Sequence, residues 1–226
     1  MRIAQLRREH VEDIAALHVR GIETGFISSF GMRFVCCLYE AVLDSPTTFG
    51  FVAVEDGTIG GFAAATTNLD ELFRCLIVRK SWRLIPMLAV RLLSIRRLKN
   101  IFETLLYPSR TRPFALPQAE LLAIAVAQKQ RRKGIGSALM RRILAECSVR
   151  GIDRVKILVG TANKAANAFY LKRGYKLAGQ IENHGTLSNI YVAGAIQPPA
   201  ERPIHEIRVI DIERTSVPVA ASVAEK

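Results

Sequence analysis

Ten consecutive residues carry most of the chemistry legible in this chain: Gln128-Lys129-Gln130-Arg131-Arg132-Lys133-Gly134-Ile135-Gly136-Ser137. Three adjacent cations precede two glycines, and glycine lacks the Cβ that would keep a bulky anion off the backbone N–H groups. Before them, Leu121 to Val126 is short, apolar and partly β-branched, as a buried strand is. After them, Ile135, Leu139, Ile143 and Leu144 recur at helical spacing through about Cys147. A strand therefore feeds a helix through a cationic turn. The first turn of a helix leaves N–H groups unpaired and carries partial positive charge. With Arg131, Arg132 and Lys133 beside those donors, the turn is built to hold a pyrophosphate. It is neither a Walker loop, since no Gly-Lys-Ser/Thr follows, nor the dinucleotide Gly-x-Gly-x-x-Gly.

A second segment lies downstream. Ile152 to Val159 alternates apolar and polar residues like a half-buried strand, and Asn163 to Tyr175 reads as a helix closed by Gly174. The two segments resemble those of the GNAT superfamily of N-acetyltransferases. Arg131-Arg132-Lys133-Gly134-Ile135-Gly136 is similar to its Arg-x-x-Gly-x-Gly signature, which binds the pyrophosphate of acetyl-coenzyme A. Asn163, Ala166, Phe169, Tyr170, Gly174 and Tyr175 look like its second block, Asn-x-x-Ala-x-x-Phe-Tyr-x-x-x-Gly-Phe/Tyr. The resemblance covers residues 119–194 well and 1–67 loosely. It implies an α/β GNAT fold: a mixed central sheet of about seven strands, splayed between strands four and five and flanked by helices.

The resemblance also implies roles. Acetyl-CoA is the co-substrate and no metal is needed. Its pantetheine arm pairs with backbone groups near Ile124 and Val126, and its pyrophosphate sits on residues 131–137, including Gly134, Gly136 and Ser137. Asn163 contacts the coenzyme arm, and Tyr170 protonates the departing thiolate. Tyr170 is otherwise a core aromatic. The base is open between Glu120, at the start of the fourth strand where many relatives carry one, His184 in the loop between the last two strands, and water. The connection 21–31 forms one wall of the acceptor pocket in relatives, which makes Glu23, Phe26 and Ser28 contact candidates, unless they belong to a packed connection.

These groups need a scaffold, and the pattern supplies one. Residues 2–7 alternate as a strand, Glu9 to Arg20 and Met32 to Leu43 read as amphipathic helices, and His18 falls on the surface or in the core of the first. Phe49 to Val54 and Ile59 to Thr66 are strands joined at Asp56-Gly57, a strong hairpin signal. Tyr175 to Ile181 and Ser188 to Ala195 read as the last two, separated by a loop at 182–187. Residues 1–196 form the acetyltransferase domain in this reading. A helical insertion, 68–118, lies between strands three and four, with a stripe of Leu72, Leu76 and Ile77 and then a helix starting near Pro86. From Gln197 a proline-bearing tail follows, with a further strand at 204–212 and a disordered last dozen residues.

Composition narrows the class. Half the 226 residues are hydrophobic, enough for a full core. Cys36, Cys37, Cys75 and Cys147 show no metal-ligand spacing and suit reduced, non-catalytic thiols of a cytoplasmic protein. No signal peptide and no membrane-length apolar run is read. The net charge is +12, and the insertion holds ten Lys/Arg against three acids, +7 of that excess. That basic stretch is a solvated helical face, a lid attracting an anionic acceptor, or a membrane-surface element. The leading expectation is acetyl transfer to the amine of a small acceptor, an amino sugar or sugar nucleotide. Protein N-terminal or lysine acetylation is the rival within enzymes, and a degenerate module docking on RNA or membrane the rival outside them. No nucleic-acid partner is expected; peripheral membrane contact and a homodimer stay open.

Overall fold

The computed structural model describes residues 1–22, 27–89, 116–183 and 186–194. Seven strands form one sheet: β1 (Arg2–Gln5), β2 (Thr48–Glu55), β3 (Thr58–Thr66), β4 (Glu120–Val126), β5 (Arg154–Gly160), β6 (Lys176–Asn183) and β7 (Thr186–Gly194). Their order is β1-β2-β3-β4-β5-β7-β6, and every neighbouring pair is antiparallel except β4 and β5. Five α-helices accompany them among the described residues: α1 (Val11–Gly21), α2 (Met32–Asp44), α3 (Leu69–Ala89), α4 (Ile135–Val149) and α5 (Lys164–Leu171).

Strand alternation sorts the core into two sides. Val52, Phe62, Ala64, Ala123 and Ala125 meet α1, α2 and the start of α3 through Ile14, Val35, Tyr39, Leu69 and Leu72. Phe51, Ala63, Leu121, Val155 and Ile157 face the other way, onto α4 and α5 through Leu139, Met140, Ile143 and Tyr170. Gly61 is required for this second packing, because a Cβ there would lie 2.9 Å from the Ala125 carbonyl and 3.1 Å from Ile135. The expected splay is present. β4 and β5 are in register only at Glu120–Lys156 and Leu121–Ile157, so beyond Leu121 the two parallel strands part. A bulge in β4 against β3, where Ala64 and Ala65 face Ala123 and Leu121, falls at the same level and bends the strand.

Three expectations change. The first insertion helix does not stop before Pro86 and restart there; α3 runs from Leu69 to Ala89 with Pro86 inside its last turn. A proline there removes one intrahelical donor, a local loss close to a helix end. Of the apolar stripe expected on α3, Leu72 is buried while Ile77 is exposed. The polar segment 182–187 is mostly strand, since β6 and β7 stay paired out to Asn183 and Thr186. The later insertion helices, the strand at 204–212, the tail, Glu23, Phe26 and His184 lie outside the described residues.

Candidate active site

The cationic turn sits where the splay opens. Ala127 N–H donates to the Gly60 carbonyl at 2.9 Å, fastening the turn to β3, and Arg131 Nε donates to the Val126 carbonyl at 3.3 Å. Arg132 has φ 65° and Gly134 φ 82°, so the chain turns through two left-handed positions before α4 begins. At Gly134 glycine makes this easy, whereas Arg132 holds the conformation as a side-chain-bearing residue. Ala138 N–H is bonded to the Gly134 carbonyl, which leaves the preceding donors of Ile135, Gly136 and Ser137 as the free first turn of the helix. Arg131, Arg132, Lys133 and Gly134 are exposed. Among the described residues no carboxylate pairs with those three cations. An anion arriving here meets free N–H groups and uncommitted charges together.

Gly136 and Ser137 have further duties. A Cβ on Gly136 would come within 3.2 Å of the Phe169 ring, so this glycine lets α5 approach α4. Arg173, just past α5, lies 3.5 Å from the Phe169 ring centroid, donates to the Phe169 carbonyl at 3.0 Å, and hydrogen-bonds Ser137 Oγ. It adds a fourth cation to the first turn of α4 and engages the hydroxyl of Ser137. Arg173 has no place in the aromatic and glycine pattern of the second block. Its signal was a second basic residue between Tyr170 and Gly174, inside a block otherwise read for its aromatic positions.

Tyr170 is buried on α5 among Phe169, Tyr175 and Tyr191, whose ring centroids lie 5.1, 6.0 and 5.6 Å away. Burial, reinforced by the neighbouring Tyr175, pushes its phenol well above the usual range. The hydroxyl is therefore protonated at neutral pH, the state in which it can donate. Asn163 caps α5, its Oδ1 accepting the Ala166 N–H at 3.1 Å. Asn167, a residue the motif leaves free, ties the region together. Its amide donates to the Gly160 and Asn163 carbonyls, and its Oδ1 accepts from Asn189 at 2.7 Å and Tyr191 at 2.8 Å. Asparagine is a poor interior helix residue, so one facing the sheet was a legible hint.

At the closed end of the splay stand Glu120 and Lys156, side by side in the register and 3.5 Å apart. They are only 8% and 5% exposed. The alternation of β5 makes Lys156 a polar member of a half-buried strand; it is buried instead, with its charge met by Glu120. Ser28 belongs to the packed connection, its hydroxyl donating to the Ile22 carbonyl at 2.6 Å. His18 is a core residue, stacked on Phe62 and sharing a 2.7 Å hydrogen bond with Tyr39. No group of three or more potential metal ligands occurs among the described residues. Ile124 and Val126 are half-buried on β4 beyond the point where β5 departs, on the open stretch of the strand.

A model of the acetyltransferase (GNAT) family matches residues 21–175. The uncharacterized protein YxbD of Bacillus subtilis (strain 168) is 44% identical over 45 residues, a match covering 20% of this chain and 28% of that protein. Among solved structures, an N-acetyltransferase from Staphylococcus aureus Mu50 superposes with TM-score 0.56 at 16% identity, covering 86% of this chain and 98% of its own. The PaiA N-acetyltransferase from Thermoplasma acidophilum, in complex with coenzyme A, gives 0.54 at 14% identity, with 85% and 98% covered. The ribosomal-protein-S18-alanine N-acetyltransferase of Escherichia coli gives 0.52 at 17% identity, with 90% and 99% covered. At these identities the likeness is one of fold. The family match takes in well over half of the 226 residues and brackets the turn and both strands of the splay, so the chain belongs to the acetyltransferase (GNAT) family.

Proposed function

We propose that this chain transfers the acetyl group of acetyl-CoA to the amine of a small acceptor, an amino sugar or a sugar nucleotide. The observation that carries the donor half is the turn at 131–137, where helix donors and cations without a carboxylate partner among the described residues meet at the mouth of the splay. Arg131, Arg132, Lys133 and the N–H groups of the first turn of α4 would hold the pyrophosphate, with Arg173 beside them. The open stretch of β4 at Ile124 and Val126 would pair with the pantetheine arm, and Asn163 stands at the start of α5 on the opposite side.

Bound acetyl-CoA supplies an activated thioester. The acceptor amine forms a C–N bond with its carbonyl carbon as the C–S bond breaks. Tyr170, on α5 beside the splay, gives its phenolic proton to the leaving sulfur; burial holds that proton tightly, so the step requires the thiolate to be hydrogen-bonded to the hydroxyl as the C–S bond breaks. As the C–N bond forms, the attacking nitrogen loses a proton to Glu120, directly or through water, and the nitrogen of an amino sugar, less basic than lysine, sheds it readily. Tyr170→Phe is expected to lower kcat by roughly 100-fold with coenzyme affinity unchanged. Glu120→Gln should lower kcat and flatten its pH profile. If Glu120→Gln only lowers thermal stability, the carboxylate braces Lys156 and water takes the proton.

The acceptor half rests on α3, which is fastened across α2 and carries the start of the basic insertion, an arrangement suited to a small anionic acceptor. A protein acceptor is the second reading, since a structural neighbour acts on a ribosomal-protein alanine by its name. Release of free thiol, measured across amino sugars, nucleotide sugars, polyamines and peptides, separates the two. Turnover confined to peptides overturns the first. The four cysteines are free thiols, which fits a cytoplasmic enzyme.

A further inference from the structure

The outward side of α3 carries apolar groups that the body of the protein does not use. Leu69, Leu72, Cys75 and Leu84 are buried toward α1 and α2. On the far side Trp82 is 73% exposed, Val78 72% and Ile77 50%. Val78 and Trp82 are four residues apart and so stand one above the other, with Arg74 a turn below them and Arg79 beside them. Arg83 lies 6.0 Å from the Trp82 ring. One helix therefore shows water a tryptophan and two β-branched residues framed by arginines.

Charge decides what fits this stripe. Lys80 and Arg83 are met by Glu40 and Asp44, and Arg74 by Glu71, but the sequence continues from α3 with Arg91, Arg96, Arg97 and Lys99. The stretch 68–118 is +7 overall and the chain +12. Two such copies repel each other, whereas an anionic surface attracts one. Tryptophan favours the boundary between headgroups and acyl chains, where its ring is covered and its indole N–H stays wet. No helix among the described residues is long and apolar enough to cross a membrane, so the contact is peripheral.

We propose that α3 docks on an anionic lipid bilayer, with Trp82, Val78 and Ile77 entering the interface and the net positive charge of the chain drawing it to the lipid phosphates. This goes beyond acetyl transfer and does not depend on it. Trp82 is the single tryptophan of the chain, so its fluorescence reports this position alone. Full-length protein is mixed with vesicles of phosphatidylcholine, with or without phosphatidylglycerol. Expected are a blue shift of Trp82 emission and co-sedimentation with the phosphatidylglycerol vesicles only, both weakened by salt. The double variant Val78→Glu with Trp82→Glu, whose sites are exposed, is expected to lose co-sedimentation while melting at the same temperature. Absence of shift and of sedimentation overturns the proposal. So does co-sedimentation that survives the double variant, which places the lipid contact elsewhere. A blue shift that grows with protein concentration without lipid also overturns it, and gives the stripe to a second copy.

Discussion

Two regions of this molecule are rich in cations, and they use them in opposite ways. Between α2 and α3, Lys80 lies 3.0 Å from both Glu40 and Asp44, Arg83 reaches Glu40 at 2.5 Å, and Arg8 reaches Asp44 at 2.6 Å. At the turn before α4, Arg131, Arg132 and Lys133 stand exposed, with no acidic partner among the described residues. The first set fastens one helix to another. The second set has no such partner among the described residues, as the proposed pyrophosphate contact requires. A run of basic residues thus says little by itself; whether the fold supplies carboxylates to meet it separates scaffold from site.

If that contrast holds, perturbing the helical side should move stability and leave the coenzyme alone. The largest such response is to acid. Burial lowers the pKa of His18 from 6.5 to about 4. Between those values the unfolded chain binds a proton that the folded one refuses, so stability falls as pH drops through that window and is unaffected above it. The loss approaches about 3 kcal/mol at its lower end. Chemical denaturation at several pH values should show it, and His18→Gln should flatten it.

Lys80→Ala comes next. Burial alone would raise the Glu40 carboxyl, but its hydrogen bond and charge interaction with Lys80, and the charge of Arg83, hold it below the usual range. Burial works the same way on Asp44 and is likewise outweighed, by Lys80 and Arg8. Removing Lys80 leaves both half-buried carboxylates short of a partner, at a cost of about 2 kcal/mol. Calorimetric affinity for acetyl-CoA should not change. Lys133→Glu should do the reverse: roughly 30-fold weaker coenzyme binding, steeper at low salt, with the melting temperature unmoved. A variant of either kind that moves both quantities would dissolve the distinction between the two regions.

The turn was legible because its chemistry is local. Gly134 must adopt a left-handed φ, cations must sit next to it, and a helix must follow, and all three are read within ten residues. The strands β2 and β3 were equally plain from the Asp56-Gly57 turn between two apolar runs, and the helices α1, α2 and α4 from their apolar periodicity. What escaped were partnerships between distant residues. Lys156 looks like the polar member of an alternating strand until the sheet sets Glu120 beside it. Arg173 becomes a companion of the turn only when Phe169 and Ser137 come together across α4 and α5. Pro86 reads as a break, yet it lies inside α3, which neighbouring residues clamp to α2.

Asn163 gives the finest test, because it stands on the boundary between scaffold and site. Its Oδ1 accepts the Ala166 N–H and starts α5, while its amide nitrogen has no hydrogen bond to the described residues. Asn163→Ala removes both groups and should cost about 1 kcal/mol of stability through the lost cap. Asn163→Asp keeps an oxygen for the cap and a negative charge at a helix start, where the dipole favours it. That variant should therefore melt at or slightly above the parent. What it lacks is the amide donor, and it places a like charge near a phosphate-bearing ligand. If the amide meets the coenzyme arm, Asn163→Asp should weaken acetyl-CoA binding by several-fold with its stability intact, and measurement of both on one sample separates the roles. Unchanged affinity in the aspartate variant would make this residue a cap and nothing more, and would move the boundary of the site inward to Tyr170.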